Sequence, residues 1–194
     1  MARIRPGLAA GHRAAALSLY WLAFGPKLGR LLGPETRALA YLDRVLCPEQ
    51  MISAVSERGE LLGIAGFRMA RGAVSIGRLP EMVAVYGRFG AFWRCALIRA
   101  LPQAVGPGQF SIDGLAVFDA ARGQGIGAAL IEALCTEARS HGFRDILLDV
   151  ADANTPARAL YEREGFVPCG RDRMGPLRLI FGFSASTRMV RHLA

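Results

Sequence analysis

The stretch from Phe110 to Phe166 constrains the fold most, because its hydrophobic periodicity changes several times without a break. Phe110 to Val117 reads as a strand. Ile126, Leu130, Ile131, Leu134 and Ala138 then share one face of a helix that stops at His141-Gly142. Arg144 to Val150 is the next strand, with Ile146, Leu147, Leu148 and Val150 apolar. Thr155-Pro156 opens a short helix, cap and proline in their preferred places, which Gly165 ends. Strand, loop, helix, strand, helix, in that order, implies neighbouring parallel strands with a right-handed crossover. The fold class is therefore mixed α/β.

Upstream the texture differs. Ile4-Arg5-Pro6-Gly7 reads as a short edge strand closing in a turn, since proline blocks further ladder donation. A helical stretch follows with Leu17, Tyr20 and Phe24 on one face, and Gly25-Pro26 is expected to stop it. A second helix is expected from Pro34-Glu35 to about Leu46. Met51 to Val55 and Leu61 to Met69 are apolar runs separated by Glu57-Arg58-Gly59-Glu60, a hairpin signal. A middle piece from Gly72 to Gly108, helical between Pro80 and Leu101, exceeds what a minimal α/β unit needs. Its Tyr86, Phe89, Phe92 and Trp93 suit core packing first, then an acceptor pocket or a homodimer contact.

With 194 residues, 52% of them hydrophobic and 21% charged, the expectation is a single domain over residues 1–194 with a helical insertion at about 72–108. The net charge of +8 favours anionic partners. The arginines are spread from Arg3 to Arg191 without a run, however, so a nucleic-acid partner is not expected. Cys47, Cys95, Cys135 and Cys169 form no close pair and read as reduced thiols, which fits a cytoplasmic setting. His12, His141 and His192 are equally scattered, and no metal is expected. No signal peptide is legible, and Arg88, Arg94 and Arg99 argue against a membrane span in the most apolar segment.

The loop Arg122-Gly123-Gln124-Gly125-Ile126-Gly127 sits where a strand connection becomes a helix. Missing side chains let a ligand approach the backbone there, and free N–H groups at a helix start favour a phosphate. A flexible glycine-rich turn is the plain alternative. A dinucleotide site is the sharper rival, because Gly123-x-Gly125-x-x-Ala128 fits that fingerprint and Asp149 lies downstream. Against it, Phe118-Asp119-Ala120-Ala121-Arg122 intervenes between strand and first glycine. A kinase-type phosphate loop lacks its lysine and hydroxyl ending.

Taken together, Leu115-Ala116-Val117, the Arg122 to Gly127 loop, Asn154 and Leu160-Tyr161-Glu162-Arg163-Glu164-Gly165-Phe166 resemble the GCN5-related N-acetyltransferase (GNAT) superfamily. The match covers about Phe110 to Val167 and extends more weakly back through the hairpin to Ile4. It leaves Gly72 to Gly108 and the tail after Gly170 unexplained. The resemblance implies a mixed sheet, splayed between two parallel strands and flanked by helices, with acetyl-coenzyme A in the opening. It further implies that the backbone near Leu115 and Val117 pairs with the pantetheine amides. Amides of Arg122, Gly123, Gln124, Gly125, Ile126, Gly127 and Ala128 would hold the pyrophosphate. Asn154 would bond near the pantetheine arm, and Tyr161 would face the sulfur.

Acetyl transfer to an amine needs a neutral nucleophile, a polarised carbonyl and a proton for the departing thiolate. Tyr161 can supply that proton, since a phenol near pKa 10 exchanges with a thiol near about 8.5; its alternative role is a packed aromatic. Asp113, placed by period-two alternation on one face with Ser111, Leu115 and Val117, is the candidate base or water-orienting group. A surface or strand-pairing aspartate is its alternative. At pH 7, neutralising a lysine-like amine costs about 4.6 kcal/mol against roughly 1 for an α-amino group, so a weak base suits the latter. An amine N-acetyltransferase is the primary reading, a non-catalytic acyl-coenzyme A sensor or interaction domain the second, and a dinucleotide-dependent oxidoreductase the third.

Overall fold

The computed structural model describes residues 2–69, 78–100 and 108–193. Seven strands form one sheet in the order β1-β2-β3-β4-β5-β7-β6. The strands are β1 (Arg3–Pro6), β2 (Met51–Val55), β3 (Leu61–Arg68), β4 (Phe110–Val117), β5 (Asp145–Ala151), β6 (Val167–Arg173) and β7 (Ala185–His192). The helices are α1 (Arg13–Leu32), α2 (Glu35–Val45), α3 (Leu79–Arg99), α4 (Ile126–Ser140), α5 (Thr155–Arg163) and the single turn α6 (Arg178–Phe181). Among the described residues only β4 and β5 are parallel neighbours, and the other pairings are antiparallel. A doubly wound parallel sheet, the frame a dinucleotide site requires, is therefore not what this chain builds.

The sheet separates two apolar layers. On one face, Ile126, Leu130, Ile131, Leu134 and Ala138 of α4 bury against Phe67, Phe110, Ile112, Ile146, Leu148 and Val150, joined by Tyr161 and Phe166 from the α5 region. On the other face, α1 packs Ala16 and Leu19 onto Met51, Ile64 and Ala116. A further cluster binds Leu31 and Leu32 of α1 to Tyr41 of α2, Met82 of α3 and Phe181 of α6.

The helix expected to stop at Gly25-Pro26 continues through both residues to Leu32. Proline forfeits the bond to the carbonyl four residues back, and the loss falls at Leu22, which is 69% exposed, on the solvent-facing side of the helix. Gly25 survives inside the helix because Trp21 lies over it: a Cβ would come within 3.1 Å of the indole. The short helix α5 is capped by Asn154, whose Oδ1 accepts from the Ala157 amide at 3.3 Å, so Thr155 and Pro156 are its first two helical residues. The strand β7, which inserts between β5 and β6, lies in the tail that sequence patterning left unassigned.

The middle helix is present as α3, broken at Gly87 with φ 71° and ψ 170°. Residues 70–77 and 101–107, the ends of the expected insertion, lie outside the described residues. Tyr86 is buried and donates its hydroxyl to the Leu32 carbonyl. Beyond the break the expected packing fails: Phe89, Phe92 and Trp93 are 94%, 75% and 40% exposed. The left-handed step at Gly87 rotates the later turns, so that Ala91 and Cys95 face inward instead.

Candidate active site

The site is built on a failure of strand pairing. β4 and β5 pair only at Phe110 with Ile146 and Ser111 with Leu147, and beyond those residues the two strands separate. Opposite, β4 stays paired to β3 as far as Val117 with Gly63. The Phe118 amide donates to Leu62 of β3 at 2.9 Å, so alternation turns the amides and carbonyls of Leu115 and Val117 to the other edge. That edge faces the opening left by β5.

A bulge sits at the fork. The register passes from Gly66–Gly114 to Phe67–Ile112, leaving Asp113 as the extra residue of β4. The bulge overturns the alternation expected to group Asp113 with Leu115 and Val117. Leu115 and Val117 pack toward α4, on the same side as Phe110 and Ile112. Asp113 and Gly114 instead meet α1. A Cβ on Gly114 would lie 2.7 Å from the Phe24 ring, and the Asp113 charge reaches the Tyr20 hydroxyl. Only glycine permits that approach of helix to strand.

The glycines of the loop do different jobs. Gly123 and Gly125 both have φ 75°, the left-handed conformation that lets the chain reverse into α4. Gly127 lies inside the first helical turn, where a Cβ would stand 3.0 Å from Leu160 of α5 and 4.0 Å from Leu115 of β4. The helix start, the open strand edge and α5 thus converge on one point. The amides of Gly125, Ile126, Gly127 and Ala128 have no backbone acceptor among the described residues; the first bond of the helix comes from Ala129 to Gly125 at 3.0 Å. Four orphan donors at the positive end of a helix suit a phosphate. Arg122 pairs with Asp119 at 2.7 Å on the surface, and Gln124 donates to Ala120 at 3.3 Å, which fixes the loop from outside.

Tyr161 lies on α5 with 8% of its surface exposed, edge-on to Phe166 at 5.8 Å between ring centres. Its hydroxyl has no hydrogen-bond partner among the described residues, and burial pushes its pKa up to about 12. A hydroxyl at the rim of a buried ring, without a protein partner, is free to donate to a ligand. The Asp113 carboxyl is likewise pushed up by burial, while the adjoining Arg68 guanidinium pulls it down. Arg68 Nε donates to Asp113 Oδ1 at 2.8 Å; the other carboxylate oxygen, Oδ2, is buried without a partner.

Asp113 and Arg68 belong to a row of charges crossing the sheet on its α1 face. Arg68 stands on β3, Asp113 on β4, Asp149 on β5, Arg188 on β7 and Asp172 on β6. Arg188 Nη2 donates to Asp172 at 2.8 Å, and its Nε lies 3.5 Å from Asp149. Sequence reading missed Arg68 and Arg188, although Arg68 follows Phe67 and Arg188 precedes Met189, each at a position where period two sets it opposite its apolar neighbour. Asp149, which fits the dinucleotide fingerprint by its spacing, pairs across the ladder with Arg188. Among the described residues no group of histidine, cysteine and carboxylate side chains is placed to hold a metal, and none of the four cysteines is in a disulfide. Cys95 and Cys135 are buried, whereas Cys169 is exposed.

A family model described as the acetyltransferase (GNAT) family matches residues 14–166, more than half of the chain. The chain belongs to the GNAT family. Among solved structures, a protein titled histone acetyltransferase HPA2 and related acetyltransferase from Corynebacterium glutamicum superposes with a TM-score of 0.69 at 19% identity, covering 100% of this chain and 97% of that one. A GCN5-related N-acetyltransferase from Kribbella flavida gives 0.60 at 21% identity, covering 99% and 98%. The NatC complex bound to Gag peptide and CoA gives 0.62 at 16% identity, covering 100% and 99%. These likenesses concern the fold. No curated protein sequence matches the chain. The GNAT frame accounts for the forked strands, the glycine loop and α5 as one unit, and no described helix is long and apolar enough to cross a membrane.

Proposed function

We propose that this GNAT protein transfers an acetyl group directly from acetyl-coenzyme A to a primary amine, of a small molecule or a peptide. The observation that carries the reading is the fork: the free edge of Leu115 and Val117 leads to the orphan amides of Gly125 to Ala128. A long cosubstrate with amides at its centre and a pyrophosphate at one end matches that sequence of partners. Asn154 spends one oxygen lone pair on the α5 cap, which leaves its carboxamide N–H groups for the pantetheine arm.

In the reaction the amine nitrogen bonds to the thioester carbon and the carbon–sulfur bond breaks. The departing sulfur takes its proton from Tyr161, and the strongly basic phenolate regains one from water before the next turnover. A phenol at pKa about 12 keeps that proton throughout the neutral range, so Tyr161 acts as a hydrogen-bond donor to sulfur until the thiolate forms. The amine's surplus proton leaves through water ordered by Asp113 Oδ2, because Oδ1 is occupied by Arg68. That weak relay suits an amine of modest basicity.

Acetyl-coenzyme A should raise the melting temperature, and thiol should be released when amines from a mixed panel are added. Failure of the coenzyme to bind ends the proposal. A second reading, an acyl-coenzyme A sensor, draws on the ion pair that engages Asp113. Coenzyme binding without turnover of any amine would favour it, whereas nicotinamide dinucleotide binding in place of coenzyme A would revive the oxidoreductase.

A further inference from the structure

The row of charges has one gap, and it falls at the fork. The last ladder pair between β4 and β5 is Ser111 with Leu147; two residues on, along each strand, stand Asp113 and Asp149. Ile112 and Leu148 are buried toward α4, so both carboxylates lie on the opposite face, flanking the point where the strands part. Each is held from its outer side, Asp113 by Arg68 of β3 and Asp149 by Arg188 of β7. Arg68 also lies within electrostatic reach of Asp149. Neither pair is complete: Asp113 Oδ2 and Arg188 Nε are buried without a hydrogen-bond partner.

We infer that Asp113 and Asp149 together form the binding site for the acceptor's ammonium group, selecting amines that carry no carboxylate beside the reacting nitrogen. The inference rests on the acetyltransfer reading and adds the class of acceptor. A cation entering the fork between the two carboxylates gives Asp113 Oδ2 the partner it lacks, directly while the ammonium is charged and through the ordered water once its surplus proton has left. Burial disfavours the charge on both aspartates, so each gains from a nearby cation. A free α-amino acid brings its own carboxylate to the same place, where like charges repel. Peptide N-termini, amino-acid amides and alkyl amines bring none.

The test compares kcat/KM for matched amides and free acids, such as glycinamide and glycine, in the unsubstituted protein and in Asp149→Asn and Arg188→Gln. The unsubstituted protein should prefer the amide by tenfold or more, a measurement that needs no variant to fold. Asp149→Asn should cut that preference at least fivefold through a higher KM for the amide, with coenzyme affinity unmoved. Arg188→Gln should keep the preference, because it leaves the Asp149 charge in place. Equal rates for amide and acid, an unchanged preference in Asp149→Asn, or equal losses in the two variants would overturn the inference while leaving acetyl transfer intact. Coenzyme binding with no acetylation of any amine would overturn the reading beneath it.

Discussion

Tyr161 is buried and Asp113 nearly so, and each keeps hydrogen-bonding capacity: Asp113 in a buried carboxylate oxygen, Tyr161 in a hydroxyl with no partner among the described residues. In Tyr161 the unused group is a hydroxyl, and deleting it should barely disturb the packing against Phe166. Tyr161→Phe is therefore expected to lower kcat by 10²-fold or more, within the usual range for a lost general acid, while the coenzyme dissociation constant changes less than about twofold. An unchanged kcat in single-turnover assays would reduce Tyr161 to a core aromatic. Its ionisation also carries a stability signature. The pKa rises from 10.0 unfolded to about 12 folded, so the folded state holds the proton more tightly. Stability should be flat below pH 10 and fall as pH climbs through the folded value, by up to about 3 kcal/mol from this group. Urea unfolding at pH 9 and pH 11 should show a smaller loss in Tyr161→Phe than in the unsubstituted protein.

Local geometry at the level of elements explains what the sequence discloses. Periodicity disclosed β2, β3, β4, α4, β5 and α5 because each buries one continuous face, and the loop from Arg122 to Gly127 was legible because its glycines are backbone requirements. Gly125→Ala should cost about 1 kcal/mol from its left-handed φ of 75° and weaken coenzyme binding tenfold or more. Gly29→Ala, in α1 where a Cβ meets nothing within 4 Å, should stabilise by about 0.5–1 kcal/mol and leave binding alone. Thermal melts and coenzyme titrations separate the two outcomes. Three features stayed hidden because they depend on exposure or on partners that the local pattern does not show. The passage of α1 through Pro26 needs the exposed turn at Leu22, the bulge at Asp113 needs the register of β3, and β7 needs the gap between β5 and β6. The bulge matters most, since a single extra residue moves Asp113 from the α4 side's partners to those of α1.

In the molecule as a whole, the fork divides the sheet into a four-strand half, β1 to β4, and a half made of β5, β7 and β6. Two residue pairs at the base, the α4 crossover and the apolar cluster between α1 and α6 join them. A cosubstrate that hydrogen-bonds to the free edge of β4 would act as a strand between the halves, so its binding should be visible in the backbone itself. The amides of Ala116 and Phe118 point to β3 and should exchange slowly with or without coenzyme. Those of Leu115 and Val117 point into the fork and should exchange fast in the free protein and slowly with acetyl-coenzyme A bound. At a hundredfold excess over the dissociation constant, binding contributes about 2.7 kcal/mol, which for a domain of this size raises the melting temperature by roughly 5–10 °C. A thermal shift of that size without new protection at Leu115 and Val117 would mean that the coenzyme docks on the Gly125 to Ala128 amides alone. The fork would then be an architectural feature of the sheet, and the acceptor site would have to be sought away from Asp113.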